Sequence, residues 1–328
     1  MTASTPKPGR RWPRRLLVLT ASLTLCLLVL VNGCAGWLAK SIVWGPNTEK
    51  HIDASHDATS EALASLGVHR QMRVDAGPPP ASLSLWLIDP STAGDGTAVA
   101  PLGTLLVLHG INDRKDTMVP LGRRFAERGY RVVLVDLRAH GRSSGQWLTF
   151  GVHESRDLSQ VLDALSSQGL LAGDVGVFGP SFGGGIAIQF AGRDDRVKAV
   201  VSVCGFTSMR DVTPGVVRMY APVVGRLLLD STIQRAVTRA GRVAGFDPDD
   251  ASALDAIRQT KARVLLIHGK KDVKIPPRHS RRLHEAAPDR SRLLLLDGHD
   301  HDSILAGDSA GVVFGESVAW FDQWLGQK

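Results

Sequence analysis

The sequence predicts an α/β protein: a mostly parallel, doubly wound sheet with helices on both faces. Three observations predict it. From Thr104 onward, short apolar runs alternate with helical patterns, with one interruption. The inner runs, such as Val175 to Phe178 and Val264 to His268, are continuously apolar, as strands covered on both faces are. By contrast, Val68 to Val74 and Ser82 to Ile88 alternate, which fits an antiparallel edge.

Taken in order, residues 1–15 carry Lys7, Arg10, Arg11, Arg14 and Arg15 and no acid. They precede a charge-free run of 23 residues, Leu16 to Leu38. As a helix, a run of that length crosses a bilayer core of about 30 Å. Basic residues on its N-terminal side put that end in the cytoplasm. The remainder is then expected on the periplasmic or extracellular side. Three fates stay open: an uncleaved signal anchor, a cleaved secretory signal, and a lipoprotein signal cut before Cys34. Val31-Asn32-Gly33-Cys34 is similar to a bacterial lipobox except at Asn32. Trp37 and Trp44 suit interfacial anchoring and favour the uncleaved helix.

Residues 39–66 read as a polar, partly helical linker, and residues 67–328 as one domain. Gly77-Pro78-Pro79-Pro80 is a turn between the two edge strands, and Ser91 to Pro101 a polar loop. Strands follow at Thr104 to Leu108, Arg131 to Val135, Val175 to Phe178 and Val197 to Cys204. Helices fall between them at Met118 to Arg128, Glu154 to Ser167 and Phe182 to Ala191. The rhythm breaks between Phe206 and Thr260, where Val212 to Leu229 and Thr232 to Val243 read as short helices. This insertion, about 207–258, leaves the carboxyl end of a strand, so it is expected over the site as a cap. Its apolar residues, including Met219, Tyr220 and Val223, fit either cap core or an acyl-binding surface. Val264 to His268 and Leu293 to Leu296 complete the strands, each followed by a helix.

Composition narrows the function. The 328 residues are 43% hydrophobic and 22% charged, ordinary for a globular chain. The net charge of +7 is concentrated at one end, because six of those charges lie in residues 1–40. A nearly neutral body gives no footprint for nucleic acid. Cys204 is the one cysteine beyond the N-terminal run, so neither a disulfide framework nor a cysteine metal site is expected. It reads as a buried strand thiol.

The chemistry centres on Val175 to Gly185. A strand runs into Gly179-Pro180-Ser181-Phe182-Gly183, and a small-residue helix starts directly after. That layout forces a serine hydroxyl into the open at the end of a sheet. A serine is a poor nucleophile at neutral pH unless a histidine takes its proton and a carboxylate orients the histidine. Downstream, the strand ending in His268-Gly269 leads to Asp272, and the strand ending at Leu296 leads to His299 and His301. Asp272 is the candidate acid. His301 is preferred over His299 as the base, with the choice open. An oxyanion needs preset N–H donors. Phe182 N–H, just after the serine, and Ile111 N–H, in the loop after the Thr104 to Leu108 strand, are the candidates. His109 is expected to be structural within that loop. Asp136 and His140 are expected to fix the geometry of the loop after the next strand, with a substrate contact as the alternative.

With these residues in view, the chain resembles the α/β-hydrolase superfamily over about residues 68–326. The resemblance rests on His109-Gly110, on Asp136-x-Arg138-x-His140-Gly141-x-Ser143 and on Gly179-x-Ser181-x-Gly183. His268-Gly269-x-x-Asp272 and His301 complete it, in the family's order. It looks most like the membrane-linked serine hydrolases of the lysophospholipase and aminopeptidase-like branch. There the catalytic histidine follows a Gly-x-x-His turn, which Gly298 to His301 matches. The resemblance implies an α/β-hydrolase fold and acyl transfer to water from an ester, thioester or amide, with no cofactor. The partners it implies are a small-molecule or lipid acyl substrate and a membrane. A serine-dependent acyltransferase and a non-catalytic binding scaffold are the alternatives. Pro180 departs from the usual pattern and is expected to stiffen the turn.

Overall fold

A computed structural model describes residues 14–51, 57–90 and 99–325; the side chains of 14–17, 27–35, 224, 226 and 227 lie outside the described set. The chain opens with α1 (Arg14–Val43) and the short α2 (Ser60–Ser65). The hairpin β1 (Arg70–Ala76) and β2 (Ala81–Ile88) follows. Next come β3 (Thr104–Val107), α3 (Val119–Glu127), β4 (Arg131–Val135) and α4 (Val152–Ser167). Then come β5 (Val175–Pro180), α5 (Phe182–Arg193) and β6 (Val197–Val203). The insertion holds α6 (Met209–Tyr220), α7 (Pro222–Leu227), α8 (Asp230–Ala244) and α9 (Ala253–Gln259). The chain finishes with β7 (Arg263–Gly269), α10 (Arg278–Ala286), β8 (Ser291–Leu296) and α11 (Gly307–Leu325).

The strands form one sheet of eight in the order β1-β2-β4-β3-β5-β6-β7-β8. β1 and β2 pair antiparallel, as does β2 with β4, and every pair from β4 to β8 is parallel. The order runs outward in both directions from β3 and β5, so their carboxyl ends flank a crevice. β3, β5 and β7 are buried almost throughout, which explains their unbroken apolar composition. α4 and α5 cover one face, and α3 and α11 the other. α3 turns Val119, Gly122, Phe125 and Ala126 inward, at helical spacing, and leaves its arginines outside.

Two features differ from the sequence-based expectation. β8 is as leucine-rich as the inner strands, yet Leu293 to Leu296 are only half-buried. An edge strand has one free flank, and an apolar run cannot reveal that. The predicted linker over 39–66 differs more. Ala39 and Val43 are fully buried in the main core. Trp44 bridges to Trp147, and the Asn47 amide donates to the Gly141 and Ser143 carbonyls at 2.9 Å each. The end of α1 also packs along α8. Residues 39–48 therefore belong to the domain, because Ala39 and Val43, one helical turn apart, bury one apolar stripe of α1 in the core. Among the described residues, no helix is long and apolar enough to cross a membrane. The predicted span Leu16 to Leu38 includes residues 16–17 and 27–35, whose side chains are outside that set.

Candidate active site

The turn from β5 to α5 sets the site. Ser181 has φ 52° and ψ −115°, a conformation that non-glycine residues rarely adopt. Its N–H donates to Val203 O at 2.7 Å, which locks the turn to β6. The flanking glycines are dictated by contact. A Cβ on Gly179 would lie 2.4 Å from Gly183 O, and one on Gly183 would lie 2.6 Å from His109 O. Ser181 is thereby held at the N-terminus of α5, where the helix dipole favours negative charge.

Three of the predicted residues meet. His301 Nε2 is 2.9 Å from Ser181 Oγ, and His301 Nδ1 is 2.7 Å from Asp272 Oδ2. The carboxylate can only accept, so Nδ1 carries the proton and Nε2 is free to accept from the serine hydroxyl. His301 sits in a tight turn held by Asp300, whose Oδ1 accepts from Asp302 N–H and from both the N–H and hydroxyl of Ser303. His299, the competing histidine, is held through its backbone to the turn after β7: its carbonyl accepts from Lys271 N–H at 2.9 Å.

Asp272 is buried. Its Oδ1 accepts from the N–H groups of Lys274 and Ile275, and His268 Nε2 lies 3.2 Å from Oδ2. Burial alone would raise its pKa. Hydrogen bonds from His268, His301 and Ile275 N–H outweigh that and hold the carboxyl well below the usual range. His268 is itself fixed on both sides, by Ser280 Oγ at 2.7 Å and Ile275 O at 2.6 Å.

The loop after β3 carries Ile111. His109 is fully buried; its Nδ1 is 2.7 Å from Gly110 O, and its Nε2 accepts from Leu137 N–H at 3.0 Å. Leu137 can only donate and Gly110 O can only accept, so the ring is neutral with its proton on Nδ1. Burial lowers its pKa accordingly. A trans peptide points its C=O and N–H in opposite directions. Pinning Gly110 C=O therefore also aims Ile111 N–H. Neither Ile111 N–H nor Phe182 N–H has an acceptor among the described residues. Both residues line the cavity that holds Ser181 and His301.

Beneath this loop lies a pair that the sequence does not signal. Lys115 and Asp136 are both fully buried and 2.5 Å apart. Lys115 Nζ also reaches Ser84 Oγ and lies over the Trp86 ring. Asp136 accepts further from the N–H groups of Lys115 and Arg142. A lone lysine in a sequence defaults to the surface, so nothing there marks Lys115. His268 did carry a signal: both β3 and β7 lead into His-Gly, and both histidines are buried with each ring nitrogen bonded. Asp136 and His140 fix loop geometry, the latter through Arg138 O at 2.9 Å.

Cys204 follows β6 with φ 52° and is buried. Its sulfur lies within 4.8 Å of ligand atoms of Asp272 and His301. Burial pushes the thiol far up, and a neutral thiol is a poor metal ligand. Asp272 and His301 are meanwhile committed to each other.

Comparisons with known proteins agree with this architecture. A family model described as X-Pro dipeptidyl-peptidase (S15 family) matches residues 49–239, a stretch that holds Ser181 and stops before Asp272 and His301. The uncharacterized protein YqkD of Bacillus subtilis is 25% identical over 200 residues, covering 60% of this chain. The chain spans 64% of YqkD's length. YfhR of Escherichia coli K12 is 27% identical over 245 residues, covering 72% of this chain and 74% of that one. Among solved structures, the Pyrococcus furiosus esterase Pf2001 superposes with a TM-score of 0.62 at 18% identity, covering 82% of this chain and 96% of that one. A Mycobacterium tuberculosis puromycin-hydrolyzing peptidase gives 0.59 at 22% identity, covering 79% and 39%. Those two likenesses are of fold. The family match spans more than half of the chain, and with the sheet order and the elbow it places this protein in the X-Pro dipeptidyl-peptidase (S15) family of serine hydrolases, within the α/β-hydrolase superfamily.

Proposed function

We propose that this protein cleaves an acyl bond, most readily an ester, through an acyl-enzyme on Ser181. The observation that carries this reading is the unbroken hydrogen-bonded chain Ser181–His301–Asp272. As Ser181 Oγ attacks the acyl carbon, its proton passes to His301 Nε2. The imidazolium is stabilised by Asp272, which stays ionised. The carbonyl oxygen becomes an oxyanion and takes hydrogen bonds from Ile111 N–H and Phe182 N–H. His301 then protonates the leaving alcohol, thiol or amine. Water, deprotonated by the same histidine, attacks the acyl carbon; the bond to Ser181 Oγ breaks, His301 returns the proton to that oxygen, and the acid leaves. This sequence calls on no metal or organic cofactor.

Residues 16–38 are proposed to anchor the enzyme, with the catalytic domain on the periplasmic or extracellular side. The basic N-terminal flank supports that orientation. A peptidase reading is favoured by the family match, and Asp113 on the cavity wall offers a carboxylate to a substrate amine. The mainly apolar lining otherwise favours esters of apolar acids.

The test compares the full chain and Ser181→Ala for labelling by a fluorophosphonate and for turnover of p-nitrophenyl esters and Ala-Pro-p-nitroanilide. Labelling and ester turnover that vanish in Ser181→Ala support the esterase. Turnover of the anilide alone would shift the assignment to the peptidase. A folded wild type that neither labels nor turns over either substrate would sink both.

A further inference from the structure

The cavity over Ser181 has a volume of about 650 Å³. Part of its wall is expected: Val212, Val216, Val217 and Met219 come from α6 of the cap. The other part comes from the last turns of α1, through Trp37, Leu38, Ser41 and Ile42, with Trp44 just beyond. Leu38 packs with Val217, Ile233 and Ala236 of the cap helices, so the two parts of the wall are in direct contact. Ala39 and Val43, on the buried side of the same turns, fix α1 to the core. Trp37 and Tyr220, at 70% and 71% exposure, give the cavity an aromatic, solvent-facing rim. The helix that the sequence assigns to anchoring thus shares a cavity with the nucleophile.

A wall of this chemistry rewards apolar length. Each methylene moved from water into such a lining is worth roughly fourfold in binding. Where remote binding is realised in the transition state, the gain appears in kcat/KM.

Building on the hydrolase reading above, we propose that α1 and α6 together form a long-chain acyl site, and that the preferred substrates are lipid-like esters whose chain lies along the end of α1. The helix is then a specificity element as well as an attachment. The test uses the full chain in phospholipid nanodiscs and measures kcat/KM for p-nitrophenyl acetate, octanoate and laurate. In the wild type the laurate-to-acetate ratio is expected to exceed about tenfold, the worth of roughly two buried methylenes. Ser41 is exposed and lines the cavity, so Ser41→Trp fills that side with little risk to folding. It is expected to cut the ratio by about tenfold or more while Ser181 still labels with a fluorophosphonate. Should Ser41→Trp fail to fold, Trp37→Ala, at an exposed rim position, is expected to lower the same ratio severalfold. A wild-type ratio near or below one, or a ratio that neither variant changes, with labelling intact, overturns the acyl site and leaves the hydrolase standing. A wild type that does not label overturns both.

Discussion

Ser181 is held in a conformation that costs about 1–3 kcal/mol for any residue with a side chain. Glycine there removes the hydroxyl, the nucleophile of the proposed mechanism, and the strain together. Ser181→Gly is therefore expected to be inactive yet about 1 kcal/mol more stable than Ser181→Ala, read from denaturant midpoints. Gly183 is the opposite case, since a Cβ there meets His109 O at 2.6 Å. Gly183→Ala should lower stability by roughly 2 to 4 kcal/mol and displace the loop after β3, costing activity beyond any folding loss. Asp272 holds the tautomer of His301. Asp272→Asn is expected to lower kcat by about three to four orders of magnitude with the fold intact, measured by p-nitrophenyl ester turnover.

At the level of elements, the loop after β3 is held by His109 within it and, from below, by the buried pair Lys115–Asp136. Lys115→Met strands the Asp136 carboxylate, which still takes N–H groups from Lys115 and Arg142 positions but loses its cation. A loss of about 3–5 kcal/mol is expected on thermal or denaturant unfolding, and Lys115→Met with Asp136→Leu should recover part of it. This pair also marks where sequence reading stops. The strands, the elbow and the His301 turn were legible because each has a local signature: an apolar run, a glycine-flanked serine, a glycine-led polar turn. For the same reason the predicted helices of the cap overlap α6 to α8, although the first is broken at Ala221 into α6 and α7, and α9 has no counterpart among them. Lys115, the half-buried β8 and the docked end of α1 depend on partners far away in the chain. Nothing within a few residues of Ala39 and Val43 separates a packing stripe from apolar filler. Trp37 and Trp44 read as interfacial anchors, but nothing in the sequence places them on the cavity of Ser181.

For the whole molecule, acid is the weak direction. Burial, with His109 nearby, holds His140 neutral with a pKa of about 3, and burial with Arg278 nearby lowers that of His279 to about 4. The unfolded chain binds those protons from about pH 6.5 downward, whereas the native state does not. More protons on the unfolded state means stability rises with pH, so it should fall as pH drops from about 6.5 toward about 4. His279→Asn is expected to flatten that slope by on the order of 2 to 3 kcal/mol across this window, checked by melting temperature against pH. A last consequence follows from α1 running unbroken into the core at Ala39 and Val43. On the anchored reading, there is no stalk between bilayer and catalyst. The enzyme cannot reach out to a neighbouring membrane. It meets a bilayer-dissolved ester by lateral diffusion within one leaflet, so for such a substrate the governing concentration is a mole fraction in the surface. Adding inert lipid at constant bulk ester should then slow turnover of a laurate ester in proportion to the dilution, while a water-soluble acetate ester is turned over at an unchanged rate.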